Sequence, residues 1–293
     1  MNPYIIVNPT AGSAGKEKKL RAHLERLCPI KIRFTRRSGD ARSFAHQAIR
    51  SGARYIVAAG GDGTLNEVIN GIGARPRNVV VGLIPLGTGN DFARVLGLPL
   101  RLRDSIETLL ARRTRPIDLV RVSAEHTRYF VNVSAGGFSG LVDEKLTPKL
   151  KRTWGPLSYI RSAAAALPQL HGYQTRINID NIEEFSVELY NVIIANGRFV
   201  AGGLPIAPKA DPGDGLIDVV LIPKRSVAEM TVVAAQILLG KHITKKHVIF
   251  RRGKKIAVRS RPGMWFNVDG ELVGNSPVTF QIVPAALKFV VRE

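Results

Sequence analysis

A single cysteine, Cys28, occurs in the 293 residues. That excludes an intrachain disulfide framework and any multi-cysteine metal site, and it suits a reducing compartment. Long apolar runs are missing too. The longest, Met230 to Leu239, is interrupted by Thr231 and Gln236 and is far too short to cross a bilayer. The N-terminal stretch MNPYIIVNPT has no basic n-region, so no signal peptide is expected and a soluble, intracellular chain is. The histidines lack metal-ligating spacing, since His242 and His247 fall outside the HExxH frame. Acidic side chains are scarce: 23 Asp and Glu face 43 Lys and Arg, a formal net charge of +20. The surplus points to an anionic partner, whether nucleic acid, a phosphorylated ligand or an anionic membrane surface. It is spread evenly, with 20 basic and 9 acidic residues up to position 120 and 23 and 14 after it, unlike a nucleic-acid-binding tail.

What is present is an ordinary globular balance, 45% hydrophobic and 23% charged, in a length that suits two domains. The first 120 residues alternate strand and helix signals. Tyr4 to Val7, Lys31 to Phe34, Tyr55 to Ala59 and Val79 to Ile84 read as strands. Helices are expected over Lys16 to Cys28, Asp40 to Ser51, Leu65 to Ile72, Asp91 to Leu96 and Asp104 to Arg113. Strands without apolar/polar alternation, separated by helices, imply a parallel sheet covered on both faces. From Ile117 onward short strand candidates follow one another, ending with Val278–Ile282 and, after Pro284, Leu287–Val291. Only Leu157–Leu167 and Ser226–Leu239 stand out as helices, so this half reads as an antiparallel β domain.

Three loops leave strand ends of the first half: Asn8-Pro9-Thr10-Ala11-Gly12, Gly60-Gly61-Asp62-Gly63-Thr64, and Pro85 to Asp91. Glycines let main-chain N–H groups approach a phosphate closely, and Thr64 is placed to cap the helix expected from Leu65. Asp62 would repel a bare phosphate, so it makes sense beside Mg²⁺ on a nucleotide. Each loop alone could be a tight strand-to-helix turn. In a doubly wound sheet the carboxyl ends of the strands share one crevice, and three such loops there favour a nucleotide site. In the second half, Asp211 and Asp214 sit three apart in a turn, as in hard-cation loops or as in an Asp-Gly hairpin. Val268-Asp269-Gly270-Glu271 is by itself a hairpin turn.

NPTAG, GGDGTLNEV, PLGTGNDFAR and VDGE, in this order and spacing, resemble the diacylglycerol kinase-like lipid kinases along essentially the whole chain. The resemblance implies an α/β plus β fold. A phosphofructokinase-like (Rossmann-like) N-terminal domain, residues 1–118 with a returning strand at 284–293, would pair with a C-terminal β-sandwich, residues 119–283. ATP would lie in the inter-domain cleft, lined by Asn8, Pro9, Thr10, Ala11, Gly12, Thr35, Gly61, Asp62, Gly63, Thr64, Leu65, Asn66, Glu67 and Thr88. Lys16, Arg21, Asp91 and Asp214 would form an ordering network, and Asp211, Asp214 and Leu216 would hold a structural Mg²⁺. Asp62 and Asp118 would be active-site carboxylates. Glu271 would be the general base that takes the proton of a lipid hydroxyl, with Asp269 as its competitor.

The activity implied is transfer of the γ-phosphate of MgATP to a membrane lipid, diacylglycerol first and a sphingoid base or another lipid alcohol second. A NAD kinase shares the GGDGT-type loop but leaves the VDGE turn unexplained. Nucleic acid is not an expected partner, since no helix-turn-helix, zinc-finger or RNP-like signature is present. The expected partners are a lipid substrate at an anionic membrane surface and, compatible with the sequence, a second copy in a homodimer. The expected location is cytoplasmic, peripheral to the inner face of the cell membrane. Basic residues around Trp154, from Lys145 to Arg152, are candidates for that contact, whereas the cluster from Lys241 to Lys255 reads as solvated surface.

Overall fold

The structure, a computed structural model, describes residues 2–12, 24, 31–74, 78–137, 171–244, 246–268 and 271–292. It separates into two units, Met1–Leu119 with Val283–Glu293, and Val120–Ile282.

In the first unit the continuous apolar runs become parallel strands: β1 (Tyr4–Val7), β2 (Lys31–Phe34), β3 (Tyr55–Gly60) and β4 (Val80–Pro85). Their order is β2-β1-β3-β4, and beyond β4 lies the end of the C-terminal strand, where Lys288 and Phe289 pair in parallel with Val80 and Val81. Every residue of β1 and β3 is buried, as a sheet covered on both faces requires. The edge strand β2 instead turns Lys31 and Arg33 outward, which discourages further pairing. Helices α1 (Asp40–Arg50), α2 (Asp62–Ile72), α3 (Asp91–Val95) and α4 (Leu102–Ala111) fall between the strands. Ile106 and Leu109 of α4 close the core over Val57, Ala59 and Ile84, and Phe92 of α3 meets Phe289 edge-on at 5.5 Å.

The second unit is antiparallel. Strand β5 (Thr114–Ser123) enters it and pairs with β6 (Thr127–Phe130). There follow β7 (Val133–Gly137), β8 (Tyr173–Ile179), β9 (Glu183–Ala195), the short pair β10 (Phe199–Val200) and β11 (Leu204–Pro205), and β12 (Ile217–Pro223). Helix α5 (Val227–Leu238) precedes β13 (Ile249–Gly253), β14 (Lys255–Arg261), β15 (Trp265–Val268), β16 (Glu271–Asn275) and β17 (Val278–Val290). The long β9 pairs with β8 along its first part and with β7 and β12 along its second. One core gathers around Phe130, Phe266 and Phe280. Another lies under α5, where Met230 and Val233 pack on Tyr190, Ile193, Val220 and Ile222.

Two expectations are corrected. Helix α2 begins at Asp62, three residues before Leu65, so Thr64 lies inside it and its N-cap is Gly61. The two strands expected on either side of Pro284 are one, β17. Proline is tolerated because β17 changes partners there: Pro284 falls between the ladder with β14, which ends at Gln281, and the ladder with β4, which starts at Lys288. The neighbouring N–H groups of Ile282 and Ala285 are taken by the Lys254 carbonyl and Asp118. The helices expected over Lys16–Cys28 and Leu157–Leu167 and the basic segment around Trp154 lie outside the described residues.

Candidate nucleotide site

The loops after β1, β3 and β4 meet in the first unit. Asn8 closes its own turn by accepting the N–H and hydroxyl of Thr10 at 3.0 and 2.8 Å, and its amide donates to Thr64 Oγ1 in α2 at 3.3 Å. A Cβ added to Gly12 would stand 2.9 Å from Thr88 Oγ1. Gly61 and Gly87 approach backbone to backbone. A Cβ at Gly87 would lie 2.5 Å from the Cα of Gly61, so glycine is what lets these loops touch. Asn90, at φ 52°, braces the third loop by accepting the Gly87 N–H at 2.9 Å and donating to its carbonyl at 2.7 Å.

Asp62 ties the second loop to the third. Its two carboxylate oxygens accept the N–H groups of Asp91 and Phe92, each at 3.0 Å, in the first turn of α3. The N-cap residue of that helix, Asn90, makes no side-chain cap bond, so the neighbouring loop supplies the negative charge its N-terminus favours. Asp62, expected beside a nucleotide-bound ion, therefore also helps to hold the fold.

Beside this junction opens a cavity of about 290 Å³ lined by Asn8, Thr10, Thr35, Arg36, Arg37, Ser38, Ala41, Gly63, Thr64 and Glu67. Thr35 directly follows β2, and its N–H donates to the Val7 carbonyl at 2.8 Å. Glu67 accepts the N–H groups of Ala41 and Arg42 at 3.0 and 3.4 Å and so caps α1, whose own N-cap is Gly39. Hydroxyls, an amide, the N-terminal turn of α2 and two arginines make a polar wall suited to a phosphate-bearing ligand.

Six of the residues expected from the sequence line the cavity: Asn8, Thr10, Thr35, Gly63, Thr64 and Glu67. Pro9 and Ala11 shape the first turn, and Gly12, Gly61 and Thr88 form the junction beside it. Leu65 is 1% exposed and belongs to the core, and buried Asn66 accepts from Asn70; neither side chain forms wall. Arg36, Arg37, Ser38 and Ala41 were missed, although the run Phe34-Thr-Arg-Arg-Ser-Gly-Asp-Ala41 carries two cations straight after a strand.

Asp118, expected at the domain junction, lies within β5, is 2% exposed, and accepts the N–H of Ala285 in β17 at 2.7 Å; it does not line the cavity. Asp91 is buried at the start of α3, while Lys16 and Arg21 lie outside the described residues. Asp269 and Gly270 do so too; Glu271 is the first residue of β16, paired in register with Val268.

In the second unit the turn at Asp211 and Asp214 is already satisfied. Asp211 accepts from Gly213 N–H and Asp214 from Leu216 N–H, both at 3.0 Å. The other oxygen of Asp214 binds Arg252, whose Nε reaches Asp218 at 2.7 Å. Among the described residues no three His, Cys, Asp or Glu side chains converge as ligands. Arg252 occupies an Asp214 oxygen that the resemblance gives to the ion, so the carboxylates of this turn are satisfied by protein groups alone.

Residues 2–122 match the family model of the diacylglycerol kinase catalytic domain, and residues 132–291 match that of the YegS C-terminal NAD kinase beta sandwich-like domain. The diacylglycerol kinase of Staphylococcus haemolyticus (strain JCSC1435) is 34% identical over 280 residues, 94% of this chain and 84% of that protein. The diacylglycerol kinase of Bacillus subtilis (strain 168) is 33% identical over 281 residues, 94% of this chain and 91% of that one. A crystal structure of a diacylglycerol kinase from Bacillus anthracis str. Sterne has a TM-score of 0.73 at 20% identity, covering 99% of this chain and 96% of that chain. A second structure from that organism reaches 0.82 at 21% identity, covering 99% and 95%. At such identities these structures bear on the fold alone.

Proposed function

We propose, for a chain that belongs to the diacylglycerol kinase family and is thereby an ATP-using lipid kinase, that it phosphorylates diacylglycerol to phosphatidic acid. The observation that carries the reading is the meeting of three strand-end loops beside a polar cavity of about 290 Å³. The nucleotide enters as its magnesium complex, in which the ion offsets phosphate charge.

The chain's own groups are assigned as follows. Asn8, Thr10, Thr35 and Thr64 offer hydrogen bonds to the nucleotide, and the N-terminal turn of α2 favours its negative charge. Asp62 acts as a positioning residue that keeps the Gly87 loop against the Gly61 loop. The lipid hydroxyl oxygen attacks the γ-phosphorus, the bond from that phosphorus to the oxygen of ADP breaks, and the hydroxyl proton passes to a carboxylate. We assign that carboxylate to Glu271 on the resemblance of the VDGE turn.

The test supplies γ-labelled ATP with diacylglycerol, a sphingoid base, monoacylglycerol and NAD in turn. Label in phosphatidic acid is expected; label only in a phosphorylated sphingoid base or NADP overturns the assignment. In the same assay Glu271→Gln keeps size and hydrogen bonding but not basicity. It should lower turnover by about 10²-fold or more with little change in KM for ATP. Normal turnover in Glu271→Gln with an inactive Asp269→Asn moves the role to Asp269.

A further inference from the structure

Helix α5 is apolar on the side that faces water. Its inward residues Met230 and Val233 are buried. The outward row, Val227, Ala228, Thr231, Val232, Ala235 and Leu238, with Leu239 just beyond, is exposed and carries no charge. Val227 is 62% exposed, Val232 45% and Leu239 69%. A surface helix normally presents charged residues there. The one ionisable residue of α5, Glu229, is drawn back to the helix start, where it completes a capping box with Ser226 and pairs with Arg225 at 3.1 Å.

The surroundings say what covers this face. From Lys224 to Lys255 the sequence holds nine Lys and Arg residues and one acid, Glu229. Of these, Lys224, Arg225, Arg251 and Arg252 are ion-paired with Glu188, Glu229, Glu183 and the pair Asp214 and Asp218. Lys241, just past the helix end, and Lys246, whose carbonyl accepts from Arg225 at 3.3 Å beside the helix start, are exposed, without an ion-pair partner among the described residues. Lys246 also borders an open groove of about 690 Å³ whose walls include Phe185, Ile243, Val248, Ile249 and Phe250 beside the ion pair of Arg251 and Glu183. A second copy of the chain would bring the same positive charge against itself. An anionic bilayer satisfies both features, taking the apolar row into its interface and the cations at its headgroups.

We propose that α5, with Lys241 beyond its C-terminal end and Lys246 beside its N-terminal start, is the face by which this chain docks on anionic lipid bilayers. The proposal rests on the lipid-kinase reading for its purpose and on exposure and charge for its place.

The test is co-sedimentation with vesicles of phosphatidylglycerol and phosphatidylcholine in equal parts, against vesicles of phosphatidylcholine alone. The wild type should bind the anionic vesicles and be released as salt is added. Val232→Glu/Leu239→Glu should weaken that binding by about tenfold or more, since it places like charge in the apolar row. Lys241→Glu/Lys246→Glu should remove the preference for anionic vesicles. Both changes are at exposed positions, and phosphorylation of a water-soluble short-chain diacylglycerol should stay at the wild-type rate, whereas that of long-chain diacylglycerol in vesicles falls with binding. Loss of vesicle binding in a protein that phosphorylates no diacylglycerol in any form supports the docking face and overturns the substrate reading. Equal vesicle binding by wild type and Val232→Glu/Leu239→Glu overturns the docking face, as does a dimer that becomes monomeric with vesicle binding intact.

Discussion

Asp62 holds a helix that is too short to hold itself. Alpha-helix α3 has five residues, and its first N–H groups at Asp91 and Phe92 are met by a carboxylate from another loop. Capping bonds of this kind contribute about 1–2 kcal/mol. Asp62→Ala should therefore lower unfolding free energy in urea by about that amount and also reduce kcat/KM for ATP, because the Gly87 loop loses its anchor. Full stability with lost activity would return Asp62 to a role in nucleotide binding alone. Arg252 presents the converse case, a cation serving two carboxylates. Burial raises the pKa of Asp218 and Arg252 pulls it back down, while one Asp218 oxygen is buried without a hydrogen-bond partner. Removing the guanidinium leaves that carboxylate worse off, so Arg252→Ala should cost on the order of 2 kcal/mol. Chelation by EDTA should leave the melting temperature of the wild type unchanged, and a clear fall would restore an ion to the Asp214 turn.

Elements with a one-dimensional signature were legible in the sequence. Tyr4–Val7 and Tyr55–Gly60 are uninterrupted apolar runs because both faces of their sheet are covered, and that burial is written directly into residue type. The Ser226 start of α5 was readable for a similar reason, since both partners of its capping box lie within four residues of chain. What escaped depends on partners far away in the chain. Asp62 meets residues 29 and 30 positions on, and Asp214 meets Arg252 38 positions on, distances at which no local pattern exists. The exposed row of α5 was hidden for another reason: apolar residues on both sides of a helix read simply as a buried one. Just after α5, in the short helical turn His242–Thr244, His242 is wholly buried and its Nε2 donates to the Ile206 carbonyl at 2.8 Å. Burial lowers its pKa below the ordinary value of 6.5. The unfolded chain thus takes up a proton that the folded ring refuses, so the stability contribution is complete above about pH 6.5 and is lost as pH falls toward the folded value. His242→Gln, which keeps a donor, should flatten that dependence between about pH 7 and 5 when urea midpoints are compared. Parallel wild-type and variant curves would assign the acid sensitivity to other groups.

At the scale of the whole molecule, the chain finishes one unit only after completing the other. Strand β17 pairs with β14 through residues 278–281 and then with β4 through Lys288 and Phe289, so the first unit lacks its last strand until the C-terminus is made. Phe289 is fully buried there against Phe92 and next to Val290 of the core. Truncating such a phenylalanine costs about 3–5 kcal/mol, a large share of what a unit of this size has. Both tryptophans, Trp154 and Trp265, fall in the second unit's stretch of sequence, so intrinsic fluorescence follows that unit while ATP binding follows the first. Each unit has its own hydrophobic clusters, which is the condition for separate transitions. Phe289→Ala should therefore lose ATP binding at a lower urea concentration while the tryptophan midpoint moves little. If both signals shift together by the same amount, the two units unfold as one cooperative body, and β17 is the first place to look for the coupling because it is built into both.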